Sequence, residues 1–170
     1  MGIRRIRCGQ LLLLRRHNGL GGRNPVNARY TVANVVATEN NSSWGGWVLV
    51  IVYQDALEPM RNLTVFDGLA MITMSGGGPN SQVDVPISGF LTPPNGPVDL
   101  QLGVVAYDGD RGEGGDQLGF NGAGTFEYIS DATHDINNVF NSTHSTDGVM
   151  NPWRAPPFNN TLGHDANIFI

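Results

Sequence analysis

The run Trp47-Val48-Leu49-Val50-Ile51-Val52-Tyr53 constrains this chain more than any other stretch. It is bounded by Gly45-Gly46 on one side and Gln54-Asp55 on the other. Val48, Val50, Ile51 and Val52 branch at Cβ, which stiffens χ1 and favours a pleated backbone over a helix. A run of this length with no polar alternation predicts a strand covered on both faces, as at the centre of a sandwich, with Trp47 in the core.

The rest of the chain from Tyr30 onward repeats that texture in shorter pieces. Tyr30–Val36, Asn62–Phe66, Gln82–Ser88 and Val98–Tyr107 each read as strands, with Pro86 placing the third at an edge because proline has no donor for a ladder. Leu118–Ile129 reads as two short strands around Asn121-Gly122, and Ile168-Phe169-Ile170 as the beginning of another. Ser75–Asn80 can only be loop, and Thr92-Pro93-Pro94-Asn95-Gly96-Pro97 is a rigid connector. Residues 130–161 are polar and Asn-rich, with at most a short helix around Asp135–Phe140. Strands this short, separated by turn residues and without a sustained helical period, predict an all-β fold, a β-sandwich or jelly roll.

Charge divides the chain. All ten basic residues are arginine, seven of them lie within the first 29 residues, and the first acid is Glu39. A basic leader thus precedes an acidic body. Residues 1–29 show neither strand nor helix period and are expected to be irregular and foreign to the domain. Residues 30–170 are expected to form one β-sandwich domain, truncated at both ends. Leu11–Leu14 is too short to span a bilayer or to serve as the apolar part of a signal peptide. The leader has no aromatic before Tyr30 on which a base could stack, which argues against a nucleic-acid arm. Cys8 is the sole cysteine, so a disulfide framework is impossible.

Several motifs resemble a β-rich domain of unknown function found in large secreted or cell-surface proteins of bacteria and archaea, often beside Ig-like repeat modules. They are Tyr30-Thr31-Val32-Ala33-Asn34-Val35, Gly46–Tyr53, Arg61–Gly68, Val85–Phe90, Gly103–Asp110, Gly115-Asp116 and Leu162–Phe169. The family pattern has an aromatic where His164 stands and an acid where Asn167 stands. The resemblance covers about residues 30–170. It implies an extracellular setting and neighbouring domains of the same polypeptide as partners, and it brings no catalytic residue.

Candidate chemistry is sparse. Asp108, Asp110, Glu113 and Asp116 place four carboxylates in a glycine-rich loop, a composition that suits calcium. The spacing is not that of an EF-hand, and the competing reading is a solvated turn. The four histidines lack ligand spacing. His134-Asp135 and His164-Asp165 could each orient an imidazole, but the only hydroxyl with nucleophile-like surroundings is Ser75, which lacks the full Gly-x-Ser-x-Gly elbow. Nothing selects a glycosidase pair among Glu39, Glu58, Glu113, Glu127 and the aspartates. Trp44 and Trp153 sit in loops and are candidates for stacking on sugar faces; packing that anchors those loops is the competing reading. Asn-x-Ser/Thr sequons stand at Asn40, Asn41, Asn62, Asn141 and Asn159. The sequence therefore leads to a non-enzymatic structural or adhesive domain of an extracellular surface protein, with calcium as a candidate stabiliser. The alternative is a carbohydrate-binding module or a fragment of a glycan-active enzyme.

Overall fold

The computed structural model describes residues 10–16, 31–35, 45–52, 55–66, 68–72, 81–122, 124–151, 153 and 155–170. Among them there is no helix and there are eight strands: β1 (Gln10–Arg16), β2 (Gly46–Val52), β3 (Leu102–Gly109), β4 (Gly119–Gly122), β5 (Thr125–Tyr128), β6 (His144–Thr146), β7 (Val149–Met150) and β8 (Gly163–Phe169). The fold is mostly β. The chain divides into two compact units, Met1–Gly96 and Pro97–Ile170, so the Pro-rich connector ending at Pro97 holds the division.

In the first unit β1 pairs with β2 in parallel, from Gln10 opposite Gly46 to Arg16 opposite Val52. Residues 10–16 lie inside the stretch expected to be irregular, and the Leu11–Leu14 run is what they add to the pair. β2 forms where its β-branched residues require. It is not covered on both faces, however, because Trp47 is 47% exposed and Ile51 is 41% exposed. The placement of Trp47 in a core is therefore corrected: branching at Cβ fixes a pleated backbone whether or not a second layer covers it. Residues 31–35, 62–66 and 82–88 are likewise in no strand.

The second unit holds a four-stranded mixed sheet in the order β3-β8-β6-β7. β3 and β8 are antiparallel, β8 and β6 parallel, and β6 and β7 form a hairpin. Asp147-Gly148 closes that hairpin with both residues at positive φ (51° and 68°), which is the type I′ geometry matching the twist of paired strands. A bulge interrupts the β3–β8 ladder between Tyr107 and Gly109, with Asp108 at φ 66°. β4 and β5 form a separate hairpin in which Gly122 pairs with Thr125. Asn121-Gly122 thus belongs to the strand, and the turn follows it. The expected helix around Asp135–Phe140 is a turn instead, tied by the Asn138 N–H donating to the Asp135 carbonyl (3.0 Å). Asp135 Oδ1 also accepts the Asn137 N–H (2.9 Å), the local competition by which Asp favours turns over helix.

β8 decides where the core lies. Gly163, Asp165, Asn167 and Phe169 alternate with more exposed residues and share one buried face. Beneath it Val139 is wholly buried and Phe169 nearly so. The other buried side chains are polar: His134, Ser142, Thr143, Ser145, Thr161, Asp165 and Asn167. This unit is built around hydrogen bonds with a small apolar floor.

Candidate functional site

A buried polar group in an interior is tolerated when its partners are supplied, and here they come from backbone and side chain alike. Asp165 is fully buried on β8. Its Oδ1 accepts the Thr143 N–H (2.9 Å) and its Oδ2 the Ser142 N–H (3.2 Å), which clamps the chain entering β6. Burial pushes the Asp165 carboxyl above the ordinary aspartate range, against those N–H groups, the Asn167 amide and the His134 charge, which pull it down. Gly109 lies so close that a Cβ there would collide with Asp165 Oδ2 and the Phe140 carbonyl. The Ser142 hydroxyl donates to the Gly109 carbonyl and accepts the Gly163 N–H (2.8 Å), tying the bulge to the start of β8.

Beside this clamp stands a relay of hydroxyl, imidazole and carboxylate. Asp131 Oδ1 accepts the backbone N–H groups of Thr133 (2.8 Å) and His134 (2.9 Å), an Asx turn that aims its side chain. The same oxygen lies 2.7 Å from His134 Nδ1. Burial raises the Asp131 carboxyl, but the N–H of Thr133 and the ring and N–H of His134 overcome it, and the net effect holds it below the ordinary range. An ionised carboxylate can only accept, so His134 Nδ1 carries the hydrogen. His134 Nε2 faces Thr143 Oγ1 at 3.0 Å and Ser145 Oγ at 3.3 Å. Asn141 Nδ2 donates to the Thr133 carbonyl (2.9 Å), which turns its Oδ1 toward Thr143 and claims that hydroxyl's hydrogen (2.7 Å). Ser145 is then the hydroxyl able to donate to a neutral His134. Its oxygen is equally within reach of Asn167 Oδ1 (3.1 Å), which also accepts the Ser145 N–H (3.0 Å). The His134 ring packs edge-on against Phe169, with centroids 5.1 Å apart.

The opposite side of β8 carries a second aromatic row. Tyr107 meets His164 edge-on at 5.1 Å, and His164 Nδ1 lies 2.7 Å from His144 Nε2. The Tyr107 hydroxyl is buried without a hydrogen-bond partner among the described residues, and burial raises its pKa. A cavity of about 370 Å³ opens beside Thr143, bounded also by Arg111, Thr133, Asn141, Met150 and Asn159. Arg111 is turned onto the Asn159 carbonyl there (2.6 Å).

The residues expected to bind metal do not converge. Among the described residues no three His, Cys, Asp or Glu side chains gather as a metal-holding group. Asp108 stands in the bulge, while Asp110 and Glu113 are exposed. Asp116 turns inward, its Oδ1 accepting the N–H groups of Val139 (2.6 Å) and Phe140 (3.2 Å), and burial raises its pKa against both. Trp153 is 88% exposed. Trp44 and Ser75 lie outside the described residues. Asn141, one of the sequon asparagines, is half-buried with both side-chain atoms engaged.

Sequence reasoning missed the His134 relay. It paired His134 with Asp135 and looked for a hydroxyl at Ser75, whereas the carboxylate comes from Asp131 and the hydroxyls from Thr143 and Ser145. The signals that could have found it were the Asp131-x-x-His134 spacing of an Asx turn and the alternation of Asp165, Asn167 and Phe169. No protein-family model, curated protein or solved structure matches the chain.

Proposed function

We propose that the chain is a non-enzymatic structural or adhesive domain of an extracellular surface protein, with its strands arranged as a sandwich. One observation carries this: Asp116 and Asp165 each turn a carboxylate onto backbone N–H groups of a segment distant in sequence, while Asp131 pins its own turn. The Asp116 and Asp165 carboxyl groups of the second unit hold chain segments together. His134 and Ser145, the pair with catalytic chemistry, are closed off from solvent at 0% and 3% exposure. The motif resemblance over residues 30–170 supports the same setting. Calcium, as a stabiliser of the Asp108–Asp116 loop, has composition in its favour, with Asp116 committing its Oδ1 to Val139 and Phe140. Antibody labelling of intact cells that express the chain, against lysed cells, tests the role: surface labelling is expected, and signal only after lysis refutes it.

The exposure of Trp153 favours a second role, sugar binding without catalysis, since an indole face in solvent is a stacking platform. Glycan-array binding by the full chain that disappears in Trp153→Ala would establish that role. An array without signal removes it.

A further inference from the structure

We propose that the second unit forms an internal ester cross-link between the Ser145 side chain on β6 and the Asn167 side chain on β8. The two residues are register partners on adjacent parallel strands. Ser145 Oγ stands 3.1 Å from Asn167 Oδ1 and 3.3 Å from His134 Nε2, and all three residues are 3% exposed or less. This inference is independent of the proposed surface role, because it needs only the chain's own groups.

Each part of an acyl transfer is present. His134, with Nδ1–H held by Asp131, presents Nε2 to the Ser145 hydroxyl as a general base. The Ser145 N–H donates to Asn167 Oδ1 at 3.0 Å, so the oxygen that gains charge on attack already has a fixed donor in a dry site. The amide nitrogen of Asn167 points at Asp165 Oδ1, 3.5 Å away. That contact orients the departing nitrogen. The Ser145 hydroxyl proton passes to His134 Nε2 as the Oγ–Cγ bond forms, and negative charge collects on Oδ1. The Cγ–Nδ2 bond then breaks, the nitrogen takes a proton, and ammonia leaves. That proton is the one His134 took from Ser145, which completes the balance: hydroxyl and amide become ester and ammonia, with no oxidant or reductant.

Thr143 and Asn141 form a second hydroxyl–amide pair at 2.7 Å, also beside His134. Asn141 is only half-buried, and among the described residues no backbone N–H donates to its Oδ1, unlike that of Asn167. The Ser145 pair is therefore the one the geometry selects.

Mass spectrometry on the purified full chain tests this directly. Ester formation lowers the intact mass by about 17 Da, one ammonia per acyl transfer. Trypsin cuts after Arg111 and Arg154, which separates Ser145 (residues 112–154) from Asn167 (residues 155–170) unless a covalent bond joins them. The expected result is one joined peptide, divided by alkaline hydroxylamine and absent from Ser145→Ala and Asn167→Asp. An unmodified mass with two free peptides overturns the proposal whatever the variants do. A loss of ammonia confined to residues 112–154 overturns it equally, since that would report Thr143–Asn141 or a cyclised Asn121-Gly122.

Discussion

Replacing Asp165 with alanine removes the acceptor for two backbone donors that are otherwise enclosed. The Ser142 and Thr143 N–H groups lose bonds of 3.2 and 2.9 Å. A buried donor left unmet costs about 1–3 kcal/mol, so the pair amounts to about 2–6 kcal/mol. Relief from burying a charged carboxylate works the other way, as the raised Asp165 pKa indicates. The net expectation is a destabilisation of about 2–4 kcal/mol. Asp165→Asn keeps one acceptor oxygen and should lose about half as much. Urea titration of the full chain, followed by tryptophan fluorescence and far-UV circular dichroism, measures the change. With a slope of about 2 kcal/mol per molar, the midpoint of Asp165→Ala should fall by about 1–2 M. Asp110→Ala, at an exposed carboxylate of the same loop region, serves as control and should stay within about 0.5 kcal/mol. Asp165→Ala matching that control would refute the view that this carboxylate clamps β6 to β8.

Gly109→Ala should cost about 3 kcal/mol in the same titration, because its Cβ meets a backbone carbonyl and a clamped carboxylate, whereas Gly112→Ala, with open space around it, should be nearly silent. Phe169→Ala should destabilise by about 3–5 kcal/mol, since it removes much of a small apolar floor and the edge contact with His134. Asp131 has a lowered pKa, so its contribution is complete above the unfolded value of 3.8 and is lost as pH falls through the folded value; Asp131→Asn should flatten the acid limb of a stability–pH curve. Asp165 has the opposite sign, full below 3.8 and lost as pH rises through its raised value, so Asp165→Ala should steepen that limb. If calcium occupies the Asp108–Asp116 loop, adding it should raise the thermal midpoint of the full chain, and an unmoved midpoint removes it as a stabiliser.

What could be read from the sequence was apolar and local. The Val48–Val52 run announced β2, and the residues flanking Asn121-Gly122 announced β4 and β5, because Cβ branching and turn chemistry act within a few residues. The β6–β7 hairpin carried an equally local signal, Asp147-Gly148, but its flanks are His144-Ser145-Thr146 rather than alternating hydrophobics. The buried face of that strand is polar, which hides it from any pattern built on apolar periodicity. The same holds for the site. Asp165 and Asn167 lie 20 or more residues from Ser142, Thr143 and Ser145, and only the parallel pairing of β6 with β8 brings them together. Residues 62–66 and 82–88 fail in the other direction, since strand propensity without a partner to complete the ladder leaves extended chain.

The account rests on the buried hydrogen bonds from Ser142, Thr143 and Ser145 to Asp165 and Asn167. Native-state amide hydrogen exchange of the full chain measures them one by one. These three amides should exchange only through opening of the whole second unit, with protection equal to its global stability. Exchange of the three amides at the rate of an unstructured peptide, while Gly103–Tyr107 of β3 stays protected, would contradict it.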